Sequence, residues 1–176
     1  MHIILETART NLCQLTLDDV PALTLIMSDP DVMYFSIWGP MDEEATRIFV
    51  EKTVEAYKKD GFGKWAVIDK KTNRLIGYCG LYKESIDGAE HVELGYRLAK
   101  AYWGKGIGTE VAQAVCDYSF NVLKLEEVVS CIDKENIPSC RVAEKIGMTY
   151  WKEGAFFGQV CMIYRIEKGE VRVARH

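Results

Sequence analysis

The sequence lacks a long apolar segment, because its apolar runs are far shorter than the roughly 20 residues that a membrane-spanning helix needs. Its first residues also contain neither a basic stretch nor an extended apolar stretch, so they do not resemble a signal peptide: Met1-His2-Ile3-Ile4-Leu5-Glu6. We therefore expect the protein not to associate with a membrane. We expect its location to be cytoplasmic.

The cysteines lack the Cys-x-x-Cys spacing that is typical of zinc sites and thioredoxin-like redox pairs. There are six of them, Cys13, Cys79, Cys116, Cys131, Cys140 and Cys161. An even number is compatible with disulfides, but without a secretory signal we expect reduced thiols. We also expect no metal site.

The chain lacks an excess of positive charge: its formal charge is −4 and its isoelectric point is near 5.5. No stripe of lysine and arginine occurs except in a short C-terminal stretch. This argues against binding to a phosphate backbone, so we expect no nucleic-acid partner.

What is present is the composition of an ordinary globular protein, with 48% hydrophobic and 27% charged residues among 176. No linker, internal repeat or low-complexity segment divides the chain. We therefore predict one domain, residues 1–176, with residues 168–176 as a C-terminal tail.

Strand-like and helix-like patterns are mixed along the chain, with hairpin-like pairs near both ends. The predicted strands cover residues 9–16, 62–68, 75–82, 92–98, 128–132, 148–156 and 158–166. The predicted helices cover residues 20–26, 42–56, 107–122 and 136–146. The interpretation is an α/β (mixed α+β) fold with a mixed sheet.

Three alternating glycines precede the strongest helical pattern. Gly104, Gly106 and Gly108 lie between a strand and this helix. A glycine lets a ligand approach the backbone closely, and the first turn of a helix has free N–H groups and partial positive charge. The loop is therefore a candidate cradle for a phosphate or pyrophosphate, and a flexible turn is the alternative.

Two other phosphate loops do not match. The dinucleotide pattern Gly-x-Gly-x-x-Gly fails because Thr109 stands three residues after Gly106, and the loop is not directly after the first strand. A P-loop needs Gly-Lys-Ser/Thr, whereas Lys105 is followed by glycine. An enzyme of another fold that uses a nucleotide is therefore disfavoured.

The segment resembles the phosphate-binding pattern Arg/Gln-x-x-Gly-x-Gly/Ala of the GNAT superfamily of acetyl-CoA-dependent N-acetyltransferases. It reads here Trp103-Gly104-Lys105-Gly106-Ile107-Gly108, with tryptophan in place of the usual Arg/Gln. Glu93-Leu94-Gly95-Tyr96 resembles the preceding strand of that family. Asn136-Ile137-Pro138-Ser139 resembles the start of the helix beside the cofactor thiol. The similarity is strongest to the branch with the ribosomal-protein N-terminal acetyltransferases RimJ and RimL.

The resemblance implies a GNAT fold, in which about four helices flank a twisted mixed sheet of six or seven strands that splays into a V. It implies acetyl-CoA as cosubstrate. The pantetheine arm would lie along Tyr96, Arg97 and Leu98, and Asn136 would contact it. The pyrophosphate would lie on the loop from Trp103 through Gly104, Lys105, Gly106, Ile107 and Gly108 to Thr109.

Acetylation of an amine requires a base, and the resemblance points to Glu93 on the strand before the loop. Glu93, Gly95 and Arg97 alternate with the apolar residues of that strand, Val92, Leu94, Tyr96 and Leu98. A partly buried Glu93 with a raised pKa would suit the role. The alternative is a solvated strand carboxylate.

An acid must protonate the departing thiolate. The tyrosine that many GNAT enzymes use for this is absent, since Ala143 stands four residues before Gly147. Ser139 is the substitute that the RimL-like branch implies, and a serine that caps the helix is the alternative. An acyl intermediate on Cys140 is disfavoured because no histidine is near it in the sequence. His91 is interpreted as a surface residue.

The acceptor region is the least defined. In this family the segment with Tyr34, Phe35 and Trp38 closes over the acceptor, and ordinary packing of these aromatics is the alternative. Tyr82 and Glu84 could hold a cation at the end of a strand. A protein N-terminus, a polyamine or an amino sugar would all fit.

The resulting hypothesis is an N-acetyltransferase that acetylates a primary amine, either a small molecule or a protein N-terminus, as a monomer or homodimer. A non-catalytic module that binds acyl-CoA is the alternative, supported only by the missing helix tyrosine.

Overall fold

The computed structural model describes residues 2–169 as one mixed eight-stranded sheet with four α-helices. The strands are β1 (Ile3–Glu6), β2 (Thr10–Gln14), β3 (Lys64–Asp69), β4 (Arg74–Ile86), β5 (Ala89–Leu98), β6 (Glu127–Ile132), β7 (Thr149–Phe156) and β8 (Gln159–Glu167). The helices are α1 (Val20–Met27), α2 (Glu43–Asp60), α3 (Ile107–Asn121) and α4 (Ile137–Lys145). Residues 170–176, most of the predicted tail, lie outside the described residues.

The strand order is β1-β2-β3-β4-β5-β6-β8-β7, and the pairing of β5 with β6 is parallel while the other pairings are antiparallel. The mixed fold class is thereby confirmed. The sheet has one strand more than the six or seven expected, because β1 was not recognised. Its four residues are too few to show a clear alternation, and it is defined by its pairing with β2, for example Ile3 with Cys13.

Side chains alternate between two apolar layers, one on each face of the sheet. On β3, Trp65 and Val67 belong to the core cluster that contains α3 and α4 residues. Ala66 and Ile68 belong to the cluster that contains α1 and α2 residues. The period of two along the strand therefore assigns α3 and α4 to one face and α1 and α2 to the other.

The helices begin and end at residues with clear local reasons. The Asp42 side chain accepts a hydrogen bond from the Ala45 amide (2.9 Å) and caps α2, as its acidic start predicted. Asn136 caps α4 and Gly147, with φ of 92°, follows its end, so both predictions for this helix are confirmed.

The central hairpin is longer than predicted. Asp87 and Gly88 form its two-residue turn, with φ of 50° and 81°. Two successive positive φ values are typical of a type I′ turn, whose twist matches that of the flanking strands. The Asp-Gly pair therefore extends the pairing of β4 and β5 to Ile86 and Ala89.

The sheet opens between β5 and β6. These parallel strands pair at Glu93 and Val129, and the Ser130 hydroxyl donates to the Leu94 carbonyl (2.7 Å). Beyond this point a cavity separates them, lined by Tyr96 on one strand and Ile132 on the other. This opening corresponds to the expected V.

No helix within residues 2–169 is long and apolar enough to cross a membrane.

Candidate functional site

The glycine loop leads directly into α3, and two of its glycines have a left-handed backbone conformation. Gly104 and Gly106 have φ of 70° and 75°, and Gly106 is the N-cap of α3. A Cβ built on Gly104 would meet open space. Because the first amides of a helix have no intrahelical partner, the loop presents N–H groups at the positive end of α3. It is therefore suited to hold an anion.

Arg9 braces this loop from a distant part of the chain, and it was missed in the sequence. Its guanidinium donates to the Lys105 carbonyl (2.7 Å) and to the Glu110 carboxylate (2.6 Å). The Glu110 carboxylate also accepts from the Arg9 amide (2.8 Å). No local pattern links residues 101 positions apart, so only the folded chain reveals this contact.

Trp103 and Lys105 direct their polar atoms back to the protein. The Trp103 indole donates to the Leu98 carbonyl (2.8 Å), and the Lys105 ammonium donates to the Ala101 carbonyl (2.7 Å). Trp103 thus connects the loop to the end of β5. An Arg or Gln at this position would have a side chain of different length and would place its donor at a different distance from this carbonyl.

A cavity of about 680 Å³ occupies the opening between β5 and β6, a size typical of small-molecule sites. Eight predicted site residues line it: Trp38, Tyr82, Glu84, Glu93, Tyr96, Arg97, Asn136 and Ser139. Leu98, the loop 103–109 and Tyr34 do not line it. Tyr34 is exposed, and its ring contacts Phe35 (4.9 Å between centroids).

The peptide groups of β5 alternate between its two neighbours. The Ala99 amide donates to Ile76 of β4 (2.8 Å), whereas the Leu94 carbonyl accepts from Ser130 of β6. Residues of the same parity as Leu94, namely Tyr96 and Leu98, therefore turn their peptide groups toward the β6 side. There the strands have separated, so this edge of β5 is available to an extended ligand, except for the Leu98 carbonyl, which accepts from Trp103.

Glu93 forms a buried ion pair with Lys64, a residue that sequence reasoning missed. The Lys64 ammonium lies 2.9 Å from the Glu93 carboxylate, and the two side chains are 10% and 12% exposed. Burial, the largest single influence, disfavours the charged lysine, but Glu93, Tyr78 and Cys79 together outweigh it, so the pKa of Lys64 is raised. Protonation of Glu93 would leave the buried ammonium without its partner, which is costly.

The Lys64 side chain crosses the sheet over two glycines, which have no side chains to block it. Lys64 of β3 is paired with Gly80 of β4, which is paired with Gly95 of β5. A Cβ on Gly95 would stand 2.8 Å from the Lys64 ammonium and 3.0 Å from the Glu93 carboxylate. The absence of a side chain there lets a lysine reach a glutamate two strands away.

The cavity also contains Glu84, whose carboxyl group has a raised pKa. Its burial, and then the nearby charge of Glu93, raise its pKa to about 7, although Lys64 opposes the shift. Burial also raises the pKa of Tyr82, one pleat away on the same strand. A carboxyl that titrates near neutral pH can accept a proton from an amine.

The opposite face supplies two hydroxyl groups. The Tyr96 and Ser139 oxygens lie 3.4 Å apart, where β5 meets the start of α4. Burial is the main cause of the raised pKa of Tyr96, so its phenol stays protonated. The Asn136 side chain accepts from the Ser139 amide (3.3 Å) and caps α4, so Ser139 keeps its hydroxyl for the cavity.

The six cysteines are free thiols, and five of them are buried. Cys140 is buried, and burial is the main cause of its raised pKa. His91 lies beside Glu127 (2.7 Å). Within residues 2–169 no group of three or more potential metal ligands occurs.

The chain matches the family model described as acetyltransferase (GNAT) domain over residues 9–149. It is 38% identical to the protein YkkB of Bacillus subtilis (strain 168) over 141 residues, which are 80% of this chain and 81% of YkkB. It is 35% identical to the uncharacterized N-acetyltransferase YnaD of the same organism, over 89% of this chain and 86% of YnaD.

Solved structures give the same picture. A crystal structure of a GNAT-family acetyltransferase from Bacillus anthracis matches with a TM-score of 0.78 and 30% identity, over 95% of this chain and 98% of that one. The ribosomal L7/L12 α-N-protein acetyltransferase RimL, in complex with coenzyme A, matches with a TM-score of 0.77 over 94% of this chain and 98% of its own. At 17% identity this second match shows the fold alone.

Proposed function

Because this chain belongs to the GNAT acetyltransferase family, it is an N-acetyltransferase that uses acetyl-CoA, and we propose that it acetylates a primary amine directly, within the opening between β5 and β6. The observation that carries this proposal is that the opening joins the two faces of the sheet. The hydroxyls of Tyr96 and Ser139 line it beside α4, and the carboxyl of Glu84 lines it from the face of α1 and α2.

The residues on the α3–α4 face fit acetyl-CoA. The amides of Gly104 to Thr109 would hold the pyrophosphate, with Arg9 as a nearby positive charge. The turned-out peptide group of Tyr96 and the amide of Leu98 would pair with the pantetheine arm, since the Leu98 carbonyl already accepts from Trp103, and Asn136 would stand beside it. The bound cosubstrate supplies an activated acetyl thioester.

The chemistry requires two proton movements. The amine nitrogen attacks the thioester carbonyl carbon, the C–N bond forms, and the C–S bond breaks with its electron pair leaving on sulfur. Glu84 takes the proton from the amine, directly or through water, and the Ser139 hydroxyl, backed by Tyr96, donates a proton to the thiolate.

The base is assigned to Glu84 in preference to Glu93, the residue that the resemblance suggested. Glu93 already compensates the buried charge of Lys64, so taking up a proton would break that pair. Glu84 has no such partner among the residues described and has a pKa of about 7. Glu93 then acts on Glu84 through its charge, since it contributes to the raised pKa of Glu84.

Acetyl-CoA and CoA are each expected to raise the melting temperature (Tm) by about 5–10 °C when present at about 100 times their Kd. ATP and NAD should not. Gly104→Ala should remove most of the shift, because its Cβ would stand in the open space of the cradle. Differential scanning fluorimetry measures each value.

Gly61→Ala is the matched control, since Gly61 also has a positive φ (80°) and open space around it but ends α2, outside the cavity. It should lower the basal Tm similarly and keep the shift. An unchanged shift in Gly104→Ala would contradict the cradle.

Ser139→Ala and Tyr96→Phe should each lower kcat by about 10²-fold or more, because each removes one hydroxyl of the pair that protonates the thiolate. KM for acetyl-CoA should change little. Steady-state kinetics with product detection by mass spectrometry measures both constants. Ser119→Ala is the control, because this buried serine bonds to Cys116 within α3 and lies outside the cavity. Full activity of both variants would remove the pair from the reaction.

The finer assignments remain part of this proposal. A protein N-terminus and a small molecule are both candidate acceptors, and the RimJ/RimL-like branch stays a prediction. Six free thiols support the expected cytoplasmic location, since reducing compartments keep cysteines unpaired. Nothing favours the non-catalytic module, because the hydroxyls of Tyr96 and Ser139 can supply the proton that the missing helix tyrosine would otherwise provide.

A further inference from the structure

We propose that the acceptor is a small primary monoamine carried on an aromatic or branched aliphatic body, rather than a polyamine, an amino sugar or a protein N-terminus. This inference rests on the proposed acetylation of an amine in the same opening and specifies its substrate class. It depends on two independent observations: the apolar surface of the acceptor half of the cavity and its charge balance.

Aromatic side chains from two separate segments meet at the mouth of the cavity. Trp38, from the segment between α1 and α2, contacts Phe157, from the turn between β7 and β8, with ring centroids 5.3 Å apart. Phe157 also contacts Phe156 (4.7 Å). Trp38 and Phe157 are nevertheless 64% and 55% exposed. Exposed aromatic rings grouped around a cavity are typical of a binding surface for an apolar ligand.

The wall behind this mouth is also apolar. It is formed by side chains from the segment before α2, from α2 itself and from β8: Phe35, Ile37, Met41, Ile48, Phe49 and Val160. A ligand with many hydroxyl groups would lose hydrogen bonds to water here without gaining equivalent ones. This disfavours an amino sugar.

The charges of the acceptor half leave one carboxylate for a cationic ligand. Glu93 is compensated by Lys64. Arg97 and Lys52 add positive charge to the cavity wall, and the Arg97 guanidinium donates to the Val32 carbonyl (3.0 Å). Among the described residues of the acceptor half, Glu84 is therefore the carboxylate that remains to attract an ammonium.

The remaining acidic residue of the wall, Asp133, follows β6 on the side of α4, where its carboxylate accepts from the Glu135 amide (2.8 Å). This hydrogen bond holds the carboxylate beside the start of α4. A polyamine carries several positive charges and needs several uncompensated carboxylates along its length. The single Glu84 carboxylate can neutralise one ammonium group, which fits a monoamine.

A panel of amines tests the substrate class. Phenethylamine, 3-methylbutylamine, spermidine, glucosamine and a peptide with a free N-terminal alanine are each supplied with acetyl-CoA and the full-length protein. We expect kcat/KM for phenethylamine or 3-methylbutylamine to exceed the other values by about 10-fold or more, as an apolar pocket discriminates. Mass spectrometry of the acetylated products measures the rates.

Trp38→Ala should raise KM for phenethylamine by about 10-fold through loss of the aromatic contact, with little change in the Tm shift caused by CoA. Tyr150→Ala is the control, since this ring of β7 is also exposed but does not line the cavity. It should leave KM unchanged.

The outcomes separate this inference from the function on which it rests. Preference for spermidine, glucosamine or the peptide overturns the monoamine and leaves the amine acetyltransferase intact. Acetylation of none of these amines, with a normal CoA-induced Tm shift, overturns the proposed acetyl transfer to an amine and the monoamine with it.

Discussion

Glu84→Gln is expected to lower kcat by about 10²–10⁴-fold, because the amide cannot accept the proton of the amine. In the wild-type enzyme the rate should rise with pH through about 7, where Glu84 loses its proton, and this limb should vanish in the variant. The pH profile of kcat, followed by mass spectrometry of the product, measures both effects.

Two further variants make the assignment of the base specific. Glu90→Gln changes an exposed glutamate of β5 that does not line the cavity, and it should leave both kcat and the pH profile unchanged. Glu93→Gln should shift the limb to lower pH, since the charge of Glu93 helps to raise the pKa of Glu84. A limb that disappears in Glu93→Gln but persists in Glu84→Gln would make Glu93 the base.

The Glu84→Gln substitution should also raise the free energy of unfolding above neutral pH. Because burial raises the pKa of Glu84 from 4.5 to about 7, the folded state holds this proton more tightly than the unfolded state. The free energy of unfolding therefore falls as the pH rises from 4.5 to 7 and stays lower above it. After allowance for partial exposure, the free energy of unfolding of the Glu84→Gln variant should exceed that of the wild type by about 1–2 kcal/mol at pH 8 and differ little at pH 4.

Lys64→Met is expected to reduce the free energy of unfolding by about 3–5 kcal/mol, because it leaves the buried Glu93 carboxylate without its partner. For a domain of this size the loss corresponds to a fall in Tm of roughly 6–20 °C. Chemical denaturation with urea gives the free energy, and calorimetry gives the Tm.

Lys168→Met is the control for the loss of one lysine in an ion pair of similar length. Lys168 lies 2.8 Å from Glu126, but the two side chains are 47% and 79% exposed. Exposed pairs contribute little, so its Tm should hardly change. The double variant Lys64→Met/Glu93→Leu should recover much of the loss, since it removes both buried charges. Equal losses in the two single lysine variants would show that burial gives the Lys64 pair no special importance.

Local patterns predicted the elements that hold the cosubstrate. The alternating glycines before α3 and the cap at Asn136 are signals within a few residues, and the structure has both helices where they were expected. The Asp-Gly turn was present in the sequence as well, at residues 87 and 88. Its significance was missed because the apolar pattern of the flanking strands weakens near the turn.

The electrostatics of the cavity could not be predicted in the same way. Lys64 is 29 residues from Glu93, and nothing in its neighbourhood marks it as buried. Its partner is defined by the register of three strands and by the space above Gly95. Glu84 was expected to hold a cation, but its raised pKa depends on burial and on Glu93, which only the folded sheet provides.

The opening between β5 and β6 has a consequence for the order of events in catalysis. A site enclosed on one face would have a single entrance, and one reactant would block the other. Here the cavity is lined by residues from both faces of the sheet. If acetyl-CoA binds from one face and the amine from the other, as we propose, both can be bound at the same time, and the acetyl group can pass directly to the amine without an acyl-enzyme intermediate.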